Sequence, residues 1–149
     1  MDLPYRDPPI PFAVAREKWA YYKDHWEEFR RLDIEERGVI HSALRLEGYK
    51  REGDGETAEV SALRLGDVFF TGNPAELFVE FQLDIKARFK DRNVIVTELT
   101  NGRISYLPTR LACALGGYET IITRFKPGAG ELIRDASCEL IERLKEIHE

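Results

Sequence analysis

The chain has 149 residues, of which 43% are hydrophobic, and a formal net charge of −5 at pH 7. Its length and composition suit one ordinary globular domain. The negative charge argues against a nucleic-acid-binding protein, which needs a basic face to neutralise phosphates. No apolar run reaches the length of a membrane span, and the N-terminus has no signal-peptide pattern. The two cysteines are too few for a disulfide scaffold, and neither has a metal-type spacing.

The residue pattern in the first half of the chain predicts an extended N-terminal segment, a helix and a hairpin. Four prolines in residues 1–11 predict an extended segment without regular structure, because proline lacks an N–H donor. Aromatic residues at three- and four-residue spacing predict an amphipathic helix over residues 12–32. Alternation over residues 39–48 predicts a strand. The polar, glycine-rich residues 50–56 then predict the loop of a hairpin, with a second strand over residues 57–65. Gly66 and Asp67 predict a tight turn from this strand into the next.

The second half predicts strands alternating with helices. In chain order these elements are a strand (68–71), a helix to about Phe89, a strand (93–99), a short helix ending at Gly116, a strand (119–125) and a final helix (131–147). The combination of hairpin and strand–helix–strand units predicts an α/β (mixed α+β) fold with a mixed sheet.

Glu76 precedes one of these predicted helices. Asn73 suits the N-cap position and Pro74 the first helical position, which places Glu76 at the third. A glutamate there closes a capping box and lies at the positive end of the helix dipole. This local pattern explains Glu76 without any catalytic role.

The tyrosines and histidines show no catalytic pattern when they are taken one at a time. Tyr106 and Tyr118 each follow a turn or a glycine pair, where a half-buried ring with a hydrogen-bonded hydroxyl is the ordinary interpretation. His25, His41 and His148 form no HxH or HExxH pair. This chain alone therefore shows no zinc site of the usual three or four ligands.

Four segments, taken together, resemble the catalytic domain of neutral (non-lysosomal) ceramidases. Residues 62–78 (ALRLGDVFFTGNPAELF) resemble the strand and "PGE" turn of that family. Residues 98–110 (ELTNGRISYLPTR) resemble its "N-G-Y-x-x-Y-x-P/T-T" segment, and residues 116–119 (GGYE) its "Y-E" motif. Residues 127–131 with the last helix resemble the close of the domain in the bacterial ceramidase-like branch. The resemblance covers roughly residues 58–145, with the motifs in the same order and at compatible spacings.

The resemblance implies a zinc-dependent amidase that hydrolyses the N-acyl bond of a lipid amide such as ceramide. In that family the "PGE" glutamate and the later tyrosine bind zinc together with two histidines, and Glu76 and Tyr106 match them. Tyr118 matches a pocket tyrosine that stabilises the oxyanion. Zinc activates a bound water and polarises the amide carbonyl, and a phenol stabilises the charge that develops on its oxygen.

Three departures from the family pattern limit what this chain does alone. Ala75 replaces the glycine of the "PGE" turn. The family's two zinc histidines belong to an earlier part of the domain that this chain does not contain, and its immunoglobulin-like C-terminal domain is absent. We therefore expect residues 1–149 to form one unit, the C-terminal portion of a ceramidase-like catalytic domain. We expect it to be inactive without a missing N-terminal catalytic segment.

The alternative is a non-catalytic interaction module. On that interpretation the aromatic face of residues 19–32 and a hairpin over residues 40–65 dock on a separate partner chain. The two interpretations differ in one structural requirement, since only the first needs Glu76, Tyr106 and Tyr118 to converge on one cleft.

Overall fold

A computed structural model describes residues 1–146 of the chain, and within them it shows a mixed α/β fold with seven helices and three small sheets. The strands are β1 (Asp2–Pro4), β2 (Gly55–Thr57), β3 (Ser61–Leu65), β4 (Val68–Gly72), β5 (Glu76–Leu77), β6 (Asn93–Thr97) and β7 (Tyr106–Leu107). The helices are α1 (Phe12–Tyr22), α2 (Trp26–Arg31), α3 (Ile34–Lys50), α4 (Val79–Arg88), α5 (Arg110–Leu115), α6 (Tyr118–Ile122) and α7 (Ala129–Glu146). The predicted fold class is confirmed.

The largest sheet has the strand order β3–β4–β6 and contains both strand orientations. β3 and β4 form an antiparallel hairpin whose turn places Gly66 at a φ of 61°, a conformation that glycine adopts without a steric penalty. β4 and β6 are parallel, and α4 lies between them in the chain. The sheet therefore combines a hairpin with a strand–helix–strand unit, as the sequence predicts.

Two hydrophobic clusters hold these elements together. One lies between the large sheet and the helices α4 and α7, where Phe69, Val94, Ile85 and Ile141 are all buried. The other joins the N-terminal segment, α3, the β5–β7 pair and the start of α7. The small β5–β7 sheet is thus held by core packing and not only by its own few hydrogen bonds.

The predicted strand over residues 39–48, and with it the hairpin over residues 40–65, is wrong. These residues belong to α3, whose N-cap Asp33 accepts a 2.7 Å hydrogen bond from the backbone N–H of Glu36. The buried residues of α3 include Ile40, Ala43 and Leu46, which are spaced for one helix face. Over so short a run the helical and strand periodicities give similar patterns of apolar residues, and the Asp33 N-cap favours the helix.

The lead-in over residues 1–11 is not wholly irregular. Asp2–Pro4 form β1, which pairs antiparallel with β2, and Tyr5 forms a bridge with Phe125. Pro4 ends its short strand, where its missing N–H is tolerated, and its carbonyl oxygen still accepts a hydrogen bond from Lys126. The partners of β1 are distant in sequence, so local composition could not predict it.

Two further predicted elements differ from the structure. The helix over residues 12–32 is interrupted after α1, and α2 begins at Trp26. The strand over residues 119–125 is wrong, because Tyr118–Ile122 form α6 and the hydroxyl of Ser42 on α3 donates to the Ile121 carbonyl. This tertiary contact outweighs the β-propensity of a short, β-branched segment. The final helix is confirmed as α7, although its predicted end at residue 147 lies outside the described residues.

Two helical glycines predict opposite changes in stability. A Cβ on Gly130 of α7 would lie 2.4 Å from the buried ring of Phe81, so Gly130→Ala is expected to lower the free energy of unfolding by about 1–3 kcal/mol. A Cβ on Gly48 of α3 would meet no atom within 4 Å, so Gly48→Ala is expected to raise it by about 0.5–1 kcal/mol. Urea denaturation of both variants measures the two shifts, and shifts of the same sign would contradict the packing described.

Candidate active site

Glu76 and Tyr106 lie opposite each other on neighbouring parallel strands. β5 pairs with β7, with Glu76 in register with Tyr106 and Leu77 with Leu107. The interpretation of Glu76 as a helix-capping residue is therefore wrong. α4 begins only at Val79, with Phe78 at its N-cap.

Asn73 explains why the segment before Glu76 is extended. Its side chain is buried, donates to the carbonyl of Thr97 at 3.1 Å and accepts from the backbone N–H of Ala75 at 2.9 Å. Asn73 thus links the segment to the end of β6 instead of capping a helix. The backbone N–H of Glu76 then donates to the carbonyl of Ser105 at 3.0 Å, which fixes the pairing with β7.

Ala75 fits the position at which the resembled turn carries glycine. Its side chain is fully buried in the cluster that contains Leu77 and Ile104. Its φ is not positive, so no conformation reserved for glycine is needed. This departure therefore leaves the placement of Glu76 intact.

The Glu76 carboxylate affects the titration of the Tyr106 phenol. A hydrogen bond to Glu76, reinforced by its negative charge, raises the pKa of Tyr106 above its ordinary value. Glu76 also lies 3.5 Å from the guanidinium of Arg103, whose side chain is 74% exposed. Such an exposed ion pair is weak, so Arg103 is free to move aside for a ligand of Glu76.

Tyr118 lies beside Tyr106. Its ring centroid lies 6.4 Å from that of Tyr106, in an edge-on arrangement. The hydroxyl of Thr123, just after α6, donates to the carbonyl of Tyr106 at 2.7 Å and thereby links α6 to β7. Glu76, Tyr106 and Tyr118 all line one open cleft of about 580 Å³, so the structure brings the three sequence-predicted residues together.

A second cavity, of about 440 Å³, adjoins the same pair. Glu76 and Tyr106 line it together with Glu98 and Glu119, so the pair lies at the junction of two cavities. Burial raises the pKa of Glu98, and the charge of Glu76 adds to that rise, while a backbone hydrogen bond from Leu77 opposes it. Sequence reasoning gave neither glutamate a role, although Glu119 belongs to the motif that identified Tyr118.

Glu76 and Tyr106 are on adjacent strands, but they do not by themselves make a metal site. Within residues 1–146, no group of three or more histidine, cysteine, aspartate or glutamate side chains could hold a metal ion. Glu76 and Tyr106 supply two neighbouring oxygen donors, whereas protein zinc sites use three or four protein ligands. His41 lines the same cleft, but its ring packs against Trp19 and Phe29. A complete zinc site would need ligands from a further segment.

The similarity of the chain to known proteins is partial. No family model and no curated protein matches the chain. Among solved structures, the chain is similar to the neutral ceramidase from Pseudomonas aeruginosa, with 24% sequence identity and a TM-score of 0.44. The match covers 56% of this chain and 15% of the ceramidase chain, so it spans only a small part of that protein.

The described helices show no membrane-spanning character. None of those within residues 1–146 is both long and apolar enough to cross a bilayer.

The contact between Glu76 and Tyr106 predicts a displaced tyrosine titration. Because the carboxylate favours the protonated phenol, Tyr106 should ionise above pH 10, and Glu76→Gln should lower its pKa. The stabilisation from this contact is then fully present below pH 10 and is lost as the pH rises through the folded-state pKa. The ultraviolet absorbance of tyrosinate measures this, with Tyr106→Phe identifying the signal. Superimposable titrations of the wild type and Glu76→Gln would contradict it.

Proposed function

We propose that this chain is the C-terminal portion of the catalytic domain of a ceramidase-like amidohydrolase, and that it supplies half of a zinc site. The observation that carries the proposal is the pairing of Glu76 with Tyr106, with Tyr118 beside them, in one cleft. These are the three residues that the ceramidase-like motifs assign to the site. Their convergence is the structural requirement that separates this proposal from a non-catalytic module.

The three side chains have complementary roles in the proposal. Glu76 and Tyr106 would hold zinc through their oxygens. Zinc, when bound, supplies an activated water and polarises the amide carbonyl of a lipid amide. Tyr118, whose ring is 47% exposed in the cleft, donates a hydrogen bond to the carbonyl oxygen as its negative charge develops.

The open face of the large sheet supports the view that the chain is part of a larger domain. Leu63 and Ile95 lie in one row across this face, on either side of Phe70, and are 60% and 43% exposed. Leu65 on the same face is 69% exposed. Sheets with parallel strands are normally covered on both faces, and in residues 1–146 α4 and α7 cover only the opposite one. A further layer of polypeptide would complete the fold.

The alternative, a non-catalytic subunit that docks on a separate chain, draws on the same open face. Its original basis is weaker, because no hairpin exists over residues 40–65 and most aromatic rings of α1 and α2 pack on one another and on His41. Trp26 remains 53% exposed. A docking module would bury such side chains without requiring metal.

Reconstitution separates the two functions. The chain is purified alone and after co-expression with a histidine-bearing N-terminal segment of a ceramidase-like catalytic domain, and zinc content and hydrolysis of an N-acyl lipid amide are measured. We expect neither stoichiometric zinc nor hydrolysis from the chain alone, and both from the complex. A complex that forms without zinc or activity would favour the docking module. Tight, stoichiometric zinc binding by the chain alone would contradict the half-site.

A further inference from the structure

The cleft has a strongly basic wall, although the chain as a whole carries a net charge of −5. Four arginines line it, namely Arg37 and Arg45 on α3, Arg103 before β7, and Arg124 after α6. The acidic residue that lines the cleft is Glu76. A concave surface with an excess of one charge attracts ligands of the opposite charge.

Two of these arginines are already engaged. Arg103 pairs with Glu76 at 3.5 Å. Arg124 pairs with Glu56 at 2.5 Å, and its guanidinium lies 4.2 Å from the centroid of the Tyr49 ring, so its side chain is largely buried. Neither has its full charge free for a ligand.

Arg37 and Arg45 are different, because neither forms a salt bridge with any residue in 1–146. They lie eight residues apart on α3 with His41 midway, a spacing that places all three on one helix face. Burial lowers the pKa of His41, and the charges of Arg45 and Arg37 lower it further. The two guanidinium groups thus add positive charge to this wall, and the Nε of Arg37 also donates a 3.4 Å hydrogen bond to the carbonyl of Asp33.

Apolar surface lies next to these charges. Trp26, Phe29 and Ile34 line the cleft beside the arginines of α3, and Ile104 and Ile122 line it as well. Trp26 and Ile34 are 53% and 63% exposed, so they offer apolar area to a ligand. A cleft that combines unpaired arginines with such surface suits a molecule that is anionic at one end and apolar elsewhere.

We propose that the cleft binds an amphiphilic anion, whose carboxylate or phosphate is held by Arg37 and Arg45 and whose apolar part lies against Trp26 and Ile34. Binding itself needs no metal. The assignment of this anionic group as the headgroup of the substrate rests on the proposed function. On that basis the substrate is an N-acyl lipid with a negative charge, such as an N-acyl amino acid or a phosphorylated lipid amide.

The test measures binding to the zinc-free 149-residue chain by calorimetry and by tryptophan fluorescence, to which Trp19 and Trp26 both contribute, below the micelle concentration of each probe. Three amphiphilic probes are compared. N-lauroylglycine carries a carboxylate, dodecyl phosphate carries a phosphate, and N-lauroylethanolamine is an uncharged amide. Inorganic phosphate tests whether the anionic headgroup binds without an acyl or alkyl tail. We expect both anionic amphiphiles to bind at least about tenfold more tightly than the neutral amide, with the tighter of the two identifying the headgroup. Added salt should weaken their binding.

Arginine variants locate the site. Arg37→Gln and Arg45→Gln should each weaken the binding of the anionic amphiphiles about tenfold, the effect of one charge-assisted hydrogen bond. Arg51→Gln is the matched control, because Arg51 follows α3, is 73% exposed and does not line the cleft. Circular dichroism checks that each variant is folded.

Four results would overturn the proposal, namely equal affinity for the neutral amide, equal affinity for inorganic phosphate, the same loss in Arg51→Gln, and no binding of either anionic probe. The binding assay uses no zinc, so its outcome does not depend on whether the reconstitution experiment succeeds. A negative binding result would in turn leave the half-site proposal standing.

Discussion

Glu76→Ala is expected to abolish stoichiometric zinc binding by the reconstituted complex and to lower its amidase rate by about a hundredfold or more. The reason is geometric, since Glu76 is one of the two oxygen donors that the β5–β7 pairing holds side by side. Its side chain is 21% exposed and its salt-bridge partner is the exposed Arg103, so the substitution removes a donor without opening the core. Zinc analysis of the dialysed complex and a lipid-amide assay measure the two effects.

Tyrosine variants separate metal binding from catalysis in the same assay. Tyr106→Phe keeps the ring but removes the second oxygen donor, so it should lower both zinc content and rate. Tyr118→Phe should leave zinc content unchanged and lower only the rate, because its hydroxyl is assigned to the substrate. Glu139→Ala, on the exposed surface of α7, is the control for loss of a carboxylate. Full zinc content in Glu76→Ala would contradict the assignment of the ligands.

Asn73→Ala is expected to lower the free energy of unfolding by about 2–3 kcal/mol. The substitution removes both side-chain hydrogen bonds of a residue that is 1% exposed, and it leaves the buried N–H of Ala75 without its partner. An unsatisfied buried donor costs about 1–3 kcal/mol, and the lost bond to Thr97 adds to this. Urea denaturation followed by circular dichroism gives the change.

A matched control tests whether the Asn73 effect depends on its burial. Asn93 begins β6 and is exposed, so Asn93→Ala removes the same amide group from the surface and should change stability little. Equal destabilisation by the two substitutions would show that the Asn73 side chain does not hold the segment before Glu76. The Asn73 variant should also lower the pKa of Tyr106, because its contact with Glu76 depends on that segment.

Local sequence patterns were sufficient where an element's own residues determine it. The strands β4 and β6 and the helices α4 and α7 follow the predictions, since each buries one face along a run long enough to show its period. The tight turn at Gly66 and Asp67 and the strand–helix–strand unit were likewise predicted, and with them the mixed α/β class, whereas the predicted hairpin over residues 40–65 does not form. The motifs named Glu76, Tyr106 and Tyr118 as site residues by resemblance alone.

Other features were decided by contacts between residues far apart in the chain. β1 pairs with β2, and β5 with β7, through strands of only two or three residues, too short for a recognisable period. The same Asn73 that suits a helix cap instead bonds to Thr97, because burial beside β6 offers its amide two partners. α3 and α6 are helices stabilised by packing on each other, against the strand-like patterns of their sequences.

The sequence by itself therefore determined the fold class, the main helices and strands, and the identity of three candidate site residues. Only the tertiary structure placed Glu76 opposite Tyr106 and beside Tyr118, and only it formed the basic cleft with Arg37 and Arg45 of α3. The physical reason is that local periodicity records which face of an element is buried. It carries no information about which distant strand or side chain lies opposite.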